Sequence, residues 1–276
     1  SAASDVYKRQ DIKLIDLVIE LVDARIPMSS RNPDIDELGK NKARLILLNK
    51  SDLADKDASE AWMEFFKEKG YFAVKVDARN KGCMKAISAV IAEACKEKTE
   101  RDRKRGIKNR PVRAMVVGIP NVGKSTFINN FAGRACAKTG NKPGVTKGKQ
   151  WIRLNKNLEL LDTPGILWPK FEDPEVGFCL AVTGAIKEDV YDRETAVELL
   201  LERLMHIYPE DLRVKYAIDF SEAEPVREVM AKIAVARGCL KAGGVLDIDK
   251  VIQLVLRDFR TGRLGRFTLD EPSENN

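Results

Sequence analysis

The sequence predicts an α/β fold with a mostly parallel sheet, followed by a smaller, all-helical C-terminal domain, and three observations carry that prediction. Five apolar, β-rich runs, residues 17–22, 45–48, 72–76, 114–117 and 158–161, lead into Asp23, Asn49, Asp77, Gly118 and Asp162 respectively. Helical patterns at 61–69 and 85–96 lie between such runs, and this alternation builds parallel sheets with helices on both faces. Beyond Phe171 the periodicity is helical, at 175–186, 194–207, 222–237 and 247–260, with Pro209 and Gly243-Gly244 as breaks.

Each run-end cluster carries chemistry, as expected where ligands gather at the carboxyl ends of parallel strands. Run 114–117 enters Gly118-Ile-Pro-Asn-Val-Gly123-Lys124-Ser125, a G-x-x-x-x-G-K-[ST] phosphate loop, and the pattern at 126–131 leaves it as a helix. The glycines let backbone N–H groups curl around phosphate oxygens, and the helix N-terminus adds partial positive charge. Asn121, Val122, Gly123, Lys124, Ser125 and Thr126 are therefore expected around the nucleotide, with Lys124 on the β and γ oxygens and Ser125 on Mg²⁺.

Asn49-Lys50-Ser51-Asp52 closes run 45–48. A carboxylate accepts both the N1–H and the exocyclic amine of guanine, and adenine offers neither in that arrangement. Asp52 is thus expected to select GTP and GDP. Asn49 would brace the N7/O6 side of the base, and the stem of Lys50 would lie along its face. Ala78, after Asp77, would offer O6 an N–H or belong to a plain loop. In Asp162-Thr163-Pro164-Gly165, Asp162 would hold Mg²⁺ through water and the Gly165 N–H would bond the γ-phosphate. Thr146, in a Gly-rich stretch, is the candidate for a mobile loop that completes the metal shell. Ser125, Thr146 and Asp162 form the expected metal set; Thr146 and Gly165 are the candidate catalytic positions. Ile166 follows Gly165, and an aliphatic side chain cannot orient an attacking water.

The base motif precedes both phosphate motifs, the reverse of most GTP-binding proteins, so the fold expected is a circularly permuted P-loop GTPase. Its domain spans 11–172, with the basic stretch 96–113 joining the permuted halves, and the helical domain occupies 173–276. That stretch is read as helix then exposed linker, its charges serving either to solvate a connection or to touch an RNA backbone.

This order, with Asp23-Ala24-Arg25-Ile26-Pro27 before it and Thr163-Pro-Gly-Ile-Leu-Trp168-Pro-Lys-Phe171 behind it, resembles the circularly permuted GTPases of ribosome assembly. The likeness runs from about Asp11 to about Pro272 and takes in Arg237-Gly-Cys-Leu-Lys-Ala-Gly-Gly244 as that family's tail domain. It implies a GTPase assisting late assembly of the large ribosomal subunit, with the subunit precursor's rRNA and proteins as partners and binding that depends on the nucleotide. It also implies potassium held beside the phosphates through Asn121, against a locally satisfied loop amide. Asp23 and Arg25 read as a family element near the nucleotide or as a strand-end salt bridge. Lys241, Arg257, Arg260, Arg263 and Arg266 read as an RNA-docking set or a solvated face. The family's aromatic-Pro-Gly-His-Met segment has no counterpart in residues 1–10, which are expected to be truncated or foreign, and turnover is expected to be weak without its His. His206, the single histidine, reads as a helix-end residue. The rival reading is a GTP-gated RNA-binding scaffold with little turnover.

Composition bounds the rest. With 44% hydrophobic and 33% charged residues and no apolar run near membrane-spanning length, a cytoplasmic, monomeric protein is expected. Five scattered cysteines without a C-x-x-C pair argue against both a zinc site and a disulfide framework. A net charge of +6 suggests no more than a basic face.

Overall fold

The computed structural model describes residues 11–133, 150–162 and 172–272. The chain divides into two compact units: Ser1–Ser51, Lys56–Lys170 and Asp270–Asn276 in one, Asp52–Asp55 and Phe171–Leu269 in the other.

The first unit is built on a six-stranded sheet of β1 (Leu17–Asp23), β2 (Ala43–Asn49), β3 (Phe72–Lys75), β4 (Val112–Val117), β5 (Gln150–Asn155) and β6 (Leu158–Asp162), in the order β3-β2-β1-β4-β6-β5. The β1–β2, β1–β4, β2–β3 and β4–β6 pairs are parallel. From β1 the chain steps outward through β2 to β3, then crosses back to β4 on the other side of β1. The crevice beyond the carboxyl ends of β1 and β4 is therefore a topological switch point, where open α/β sheets bind ligands. The parallel register sets Asp23 directly beside Asn49.

Edge strand β5 runs antiparallel to β6 and is an addition to the expected runs. Its residues, Gln-Trp-Ile-Arg-Leu-Asn, mix polar and apolar types because an edge strand buries little; from Trp151 to Asn155 only Leu154 is buried. Helices α1 (Ile35–Leu38), α2 (Lys56–Glu68), α3 (Cys83–Ala94), α4 (Lys96–Lys104) and α5 (Lys124–Ala132) complete this unit. Trp62 and Phe66 of α2 are fully buried. Asp270 returns to the same unit, its carboxylate accepting from Met28 N at 2.9 Å and Ser29 N at 2.8 Å.

Strand β1 is buried along its whole length, Glu20 included. An unpaired carboxylate there would carry a large desolvation cost, and the surroundings answer it. Arg31 reaches Glu20 at 3.0 Å and Arg44 reaches it at 3.3 Å. Both guanidiniums also bond Asp36, at 2.6 and 3.0 Å, and Tyr71 lies under Arg44 with 4.7 Å from Cζ to the ring centroid. Burial works against the Asp36 charge, but Arg31 and Arg44 prevail and hold its carboxyl below the usual range.

The second unit contains α6 (Pro174–Val182), α7 (Arg193–Ile207), α8 (Pro209–Tyr216), α9 (Val226–Ala236) and α10 (Ile248–Arg260). Asp173, Asp192 and Asp247 cap α6, α7 and α10 through their side chains. Pro209, expected as a break, opens α8 instead, because the first helical position needs no N–H. Helix α6 stops short of 186, since Gly184 turns left-handed at φ 79°. Pro225 delays α9 to Val226. Arg260 is not displayed to solvent as the sequence suggests. It satisfies the last turn of α6, donating to Ala181 O at 2.9 Å and Val182 O at 3.1 Å, and bonds Tyr191 Oη and Glu188.

Two outcomes follow for the sheet unit. Glu20→Gln leaves Asp36 as the one carboxylate bonded to the two buried guanidiniums and is expected to destabilise the unit by about 1–3 kcal/mol, read as a lower urea midpoint in tryptophan fluorescence. The Asp36 carboxyl is depressed by folding, so its contribution is present above about pH 4 and lost as pH falls through the lower folded value. Acid titration of Asp36→Asn is expected to show a shallower loss of stability below that pH than the parent.

Candidate nucleotide-binding site

The phosphate loop leaves β4 at Gly118 and enters α5 at Lys124. Two of its glycines are demanded by space. A Cβ on Gly118 would lie 2.8 Å from Leu21 O and from Val122 Cγ1. Gly123 has φ 106°, and a Cβ there would meet Asn49 Nδ2 at 2.4 Å. Asn121 also takes a positive φ, 61°, which Asn tolerates better than most residues. These backbone conformations give the loop its curled form.

Lys124 folds back so that its Nζ donates to Gly118 O at 2.7 Å, and burial pushes its pKa below the ordinary lysine value. A partly desolvated cation aimed across its own loop is the group a phosphate would satisfy. Ser125 is half-buried, Thr126 exposed and Val122 buried. The Ser125 hydroxyl and the Asp162 carboxylate are hard oxygen donors of the kind Mg²⁺ takes; Asp162 ends β6, and its side chain is outside the described residues. Thr146, Gly165 and Ile166 also lie outside them, as do residues 1–10.

Asn49, expected to brace the N7/O6 side of the base, makes two hydrogen bonds to the protein. Its Nδ2 donates to Val122 O at 2.6 Å, and its Oδ1 accepts from Ala78 N at 2.8 Å. Each end of this buried carboxamide thus has a protein partner, using one of its two hydrogen-bonding positions. The Ala78 N–H, expected to meet O6, is accordingly committed to Asn49. The Ala78 carbonyl is held as well, by Asn130 Nδ2 at 2.5 Å. Asn130 escaped the sequence reading because it sits inside α5, past the motif, and nothing in the local pattern sets it apart from Asn129.

Lys50, at φ 57°, bends over this corner and donates from Nζ to Asn121 O at 3.0 Å. Burial lowers its pKa, and Asp23, 3.5 Å away, opposes that shift. Asp23 and Arg25 form a buried bidentate pair, Nε to Oδ1 at 2.9 Å and Nη2 to Oδ2 at 2.7 Å. Burial opposes the Asp23 charge, but Arg25 and then Lys50 keep the carboxyl below its usual range. The salt-bridge reading of this element is therefore met, with Lys50 as its link to the phosphate loop. Asp52 is exposed and opens the segment Asp52–Asp55 of the second unit. In that segment Leu53 O accepts from Phe267 N at 3.2 Å and Ala54 O from Arg266 Nε at 2.8 Å. His206 sits exposed in the last turn of α7, its Nδ1 2.7 Å from Glu202 O. Among the described residues no group of His, Cys, Asp and Glu is placed to hold a metal, and no helix is long and apolar enough to cross a membrane.

The arrangement can cradle an anion at the start of α5 and brace the adjoining loops through Asn49. Comparison with known proteins agrees. Residues 113–231 match the family described as 50S ribosome-binding GTPase. Ribosome biogenesis GTPase A of Priestia megaterium is 50% identical over 266 residues, covering 96% of this chain and 92% of the relative. The protein of the same name from Bacillus cereus is 48% identical, covering 96% and 89%. The GNP-bound YlqF structure from T. maritima aligns with a TM-score of 0.63 at 26% identity over 98% of each chain. With its base motif ahead of its phosphate loop and relatives this close along nearly the whole length, the chain belongs to the ribosome biogenesis GTPase A family, the circularly permuted GTPases of ribosome assembly.

Proposed function

We propose that the protein is a Mg²⁺-dependent GTP switch that docks on the RNA of a large-ribosomal-subunit precursor in its GTP state and leaves after hydrolysis. The observation that carries the reading is the Asn49 clamp, which ties the phosphate loop at Val122 to the base-side loop at Ala78. The names of the relatives supply the ribosomal context. The protein acts as a monomer in the cytoplasm, and potassium beside Asn121 belongs to the same proposal.

In this reading Lys124 moves from Gly118 O onto the β and γ phosphate oxygens, and backbone N–H groups of residues 121–126 surround them. Ser125, Asp162 and Thr146 would hold Mg²⁺, which neutralises charge on the transferred phosphoryl group. Gly165 N–H bonds the γ-phosphate. Asp52 accepts from the guanine N1–H and amine, while Asn49 keeps the surrounding loops in place. The exposed Lys241, Arg257 and Arg263 of the helical unit serve as RNA contacts; Arg260 and Arg266 are engaged on Ala181, Val182 and Ala54 and are left out.

A second reading, a GTP-gated RNA-binding scaffold, is favoured by one feature: Ile166 stands where an attacking water would need a polar side chain. Single-turnover hydrolysis by the isolated protein decides between them. It is expected to stay at or below about 10⁻³ s⁻¹, as for GTPases lacking an added catalytic group, and to rise on immature subunits. No rise in potassium or in sodium would support the scaffold.

Guanine preference is expected to rest on Asp52. A site built for two base donors rejects an analogue lacking them by up to about 10⁴-fold, so titration with fluorescent GTP, XTP and ATP should rank GTP far above ATP. Asp52→Asn should turn the preference to XTP; equal parental affinity for GTP and ATP would end this assignment.

Binding to immature large subunits is expected to be tighter with a slow GTP analogue than with GDP. Reversing the charge of Lys241, Arg257 and Arg263 together should weaken it at every nucleotide state, and filter binding at several salt concentrations measures both effects.

A further inference from the structure

Joining the permuted halves requires only that the chain pass from α3 to β4, yet the segment that does so is both highly charged and locally ordered. Helix α4 ends in a tight turn: Ile107 N donates to Asp102 O at 2.9 Å and Gly106 N to Arg103 O at 3.0 Å. Gly106 and Asn109 both adopt left-handed backbone, with φ 76° and 60°. The turn is pinned to the sheet through Lys98, which contacts Asp102 at 3.0 Å and Asp16 at 3.5 Å and donates to Pro111 O at 3.4 Å. Arg110 reaches the same two carboxylates from the other side, at 3.9 and 4.0 Å.

This pinning divides the charges of the segment into two classes. Lys98, Arg110, Asp16 and Asp102 neutralise one another. Arg101, Arg103, Lys104, Arg105 and Lys108 are all exposed, and none forms an ion pair among the described residues. The remaining acids of α4, Glu97 and Glu100, lie N-terminal to the five cations.

Position adds a second argument. The turn feeds the first residue of β4, where Val112 N donates to Asn157 O at 2.8 Å, so the exposed Lys156 sits beside it. This is the edge at which the parallel strands begin. The phosphate loop lies at the far end of β4, six residues and about 20 Å away at the usual rise of a strand. A polyanion can occupy this edge without covering the nucleotide.

We propose that the α4–β4 turn is a docking surface for the phosphate backbone of structured RNA, separate from the cations of the helical unit. It rests on the RNA reading above and adds a contact site to it. A turn held by its own hydrogen bonds and ion pairs presents its cations with less ordering entropy to lose on binding than a free loop would. Recognition is of charge and spacing rather than sequence, because phosphate contacts position a complex without reading bases.

The test is the salt dependence of binding to a fluorescein-labelled RNA hairpin of generic sequence, using the full chain with a slow GTP analogue. Parent, R103Q/K104Q/R105Q/K108Q and R103K/R105K are compared by anisotropy over a range of KCl concentrations. The quadruple variant is expected to lower the slope of log K against log salt by about 3 and to cost about 10²-fold or more in affinity at low salt. Its GDP affinity should match the parent, which shows an intact fold. The Arg-to-Lys variant keeps the charge and should keep the parental slope. A parental slope in the quadruple variant overturns this surface and leaves the RNA role of the helical unit standing. Absence of hairpin binding by the parent overturns both. Loss of binding to phosphatidylserine vesicles with hairpin binding unchanged would assign the turn to membranes and also overturn the proposal.

Discussion

At the end of β2, one asparagine holds three loops that arrive from three different strands. The Asn49 carbonyl accepts from Ala24 N at 2.8 Å, in the loop after β1. Its carboxamide then binds Val122 O of the phosphate loop and Ala78 N of the loop after β3. Removing a buried side chain with two such bonds leaves a donor and an acceptor unsatisfied, each at a cost of about 1–3 kcal/mol. Gly123 belongs to the same constraint, because any side chain there would collide with Asn49 Nδ2. The glycine of the phosphate loop and the asparagine of the base motif are a matched pair, although 73 residues of chain separate Val122 from Asn49.

Circular permutation leaves this constraint untouched, which explains why motif order is free to change. What the site requires is that β1, β2, β3 and β4 lie in the order β3-β2-β1-β4 with parallel carboxyl ends. Once that is met, hydrogen bonds join the loops whichever of them comes first in the chain. The cost of the rearrangement falls on the new connection between α3 and β4, and there the chain places a charged helix and a pinned turn rather than a slack tether.

Charge is used in two distinct ways in this protein. Buried charges hold geometry: Glu20 with Arg31 and Arg44, and Asp23 with Arg25. Each is partnered because an isolated charge in that environment would be prohibitive. Exposed cations, on the α4–β4 turn and at Lys241, Arg257 and Arg263, are available to a solvent-side polyanion. A count of lysines and arginines cannot separate these groups, and a net charge of +6 says little about either.

By itself the sequence determined the phosphate loop, the guanine motif, the permuted order, the parallel character of the sheet and the helical character of the region after Phe171. These are local patterns: continuous apolar strand runs, a glycine-lysine loop at a strand end, helical stripes. Tertiary structure alone decided what the side chains at those positions do. Asn49 and Ala78 bind each other, Asn130 braces Ala78, and Arg260 caps a helix 78 residues earlier in the chain. Edge strand β5 and helix α8 were hidden for a related reason: one carries no clean alternation, and the other begins at a proline whose meaning depends on whether a helix follows. Hydrogen-bond partners far apart in sequence leave no periodic trace, so local pattern placed the loops, and packing decided which atoms of each loop remained for a ligand.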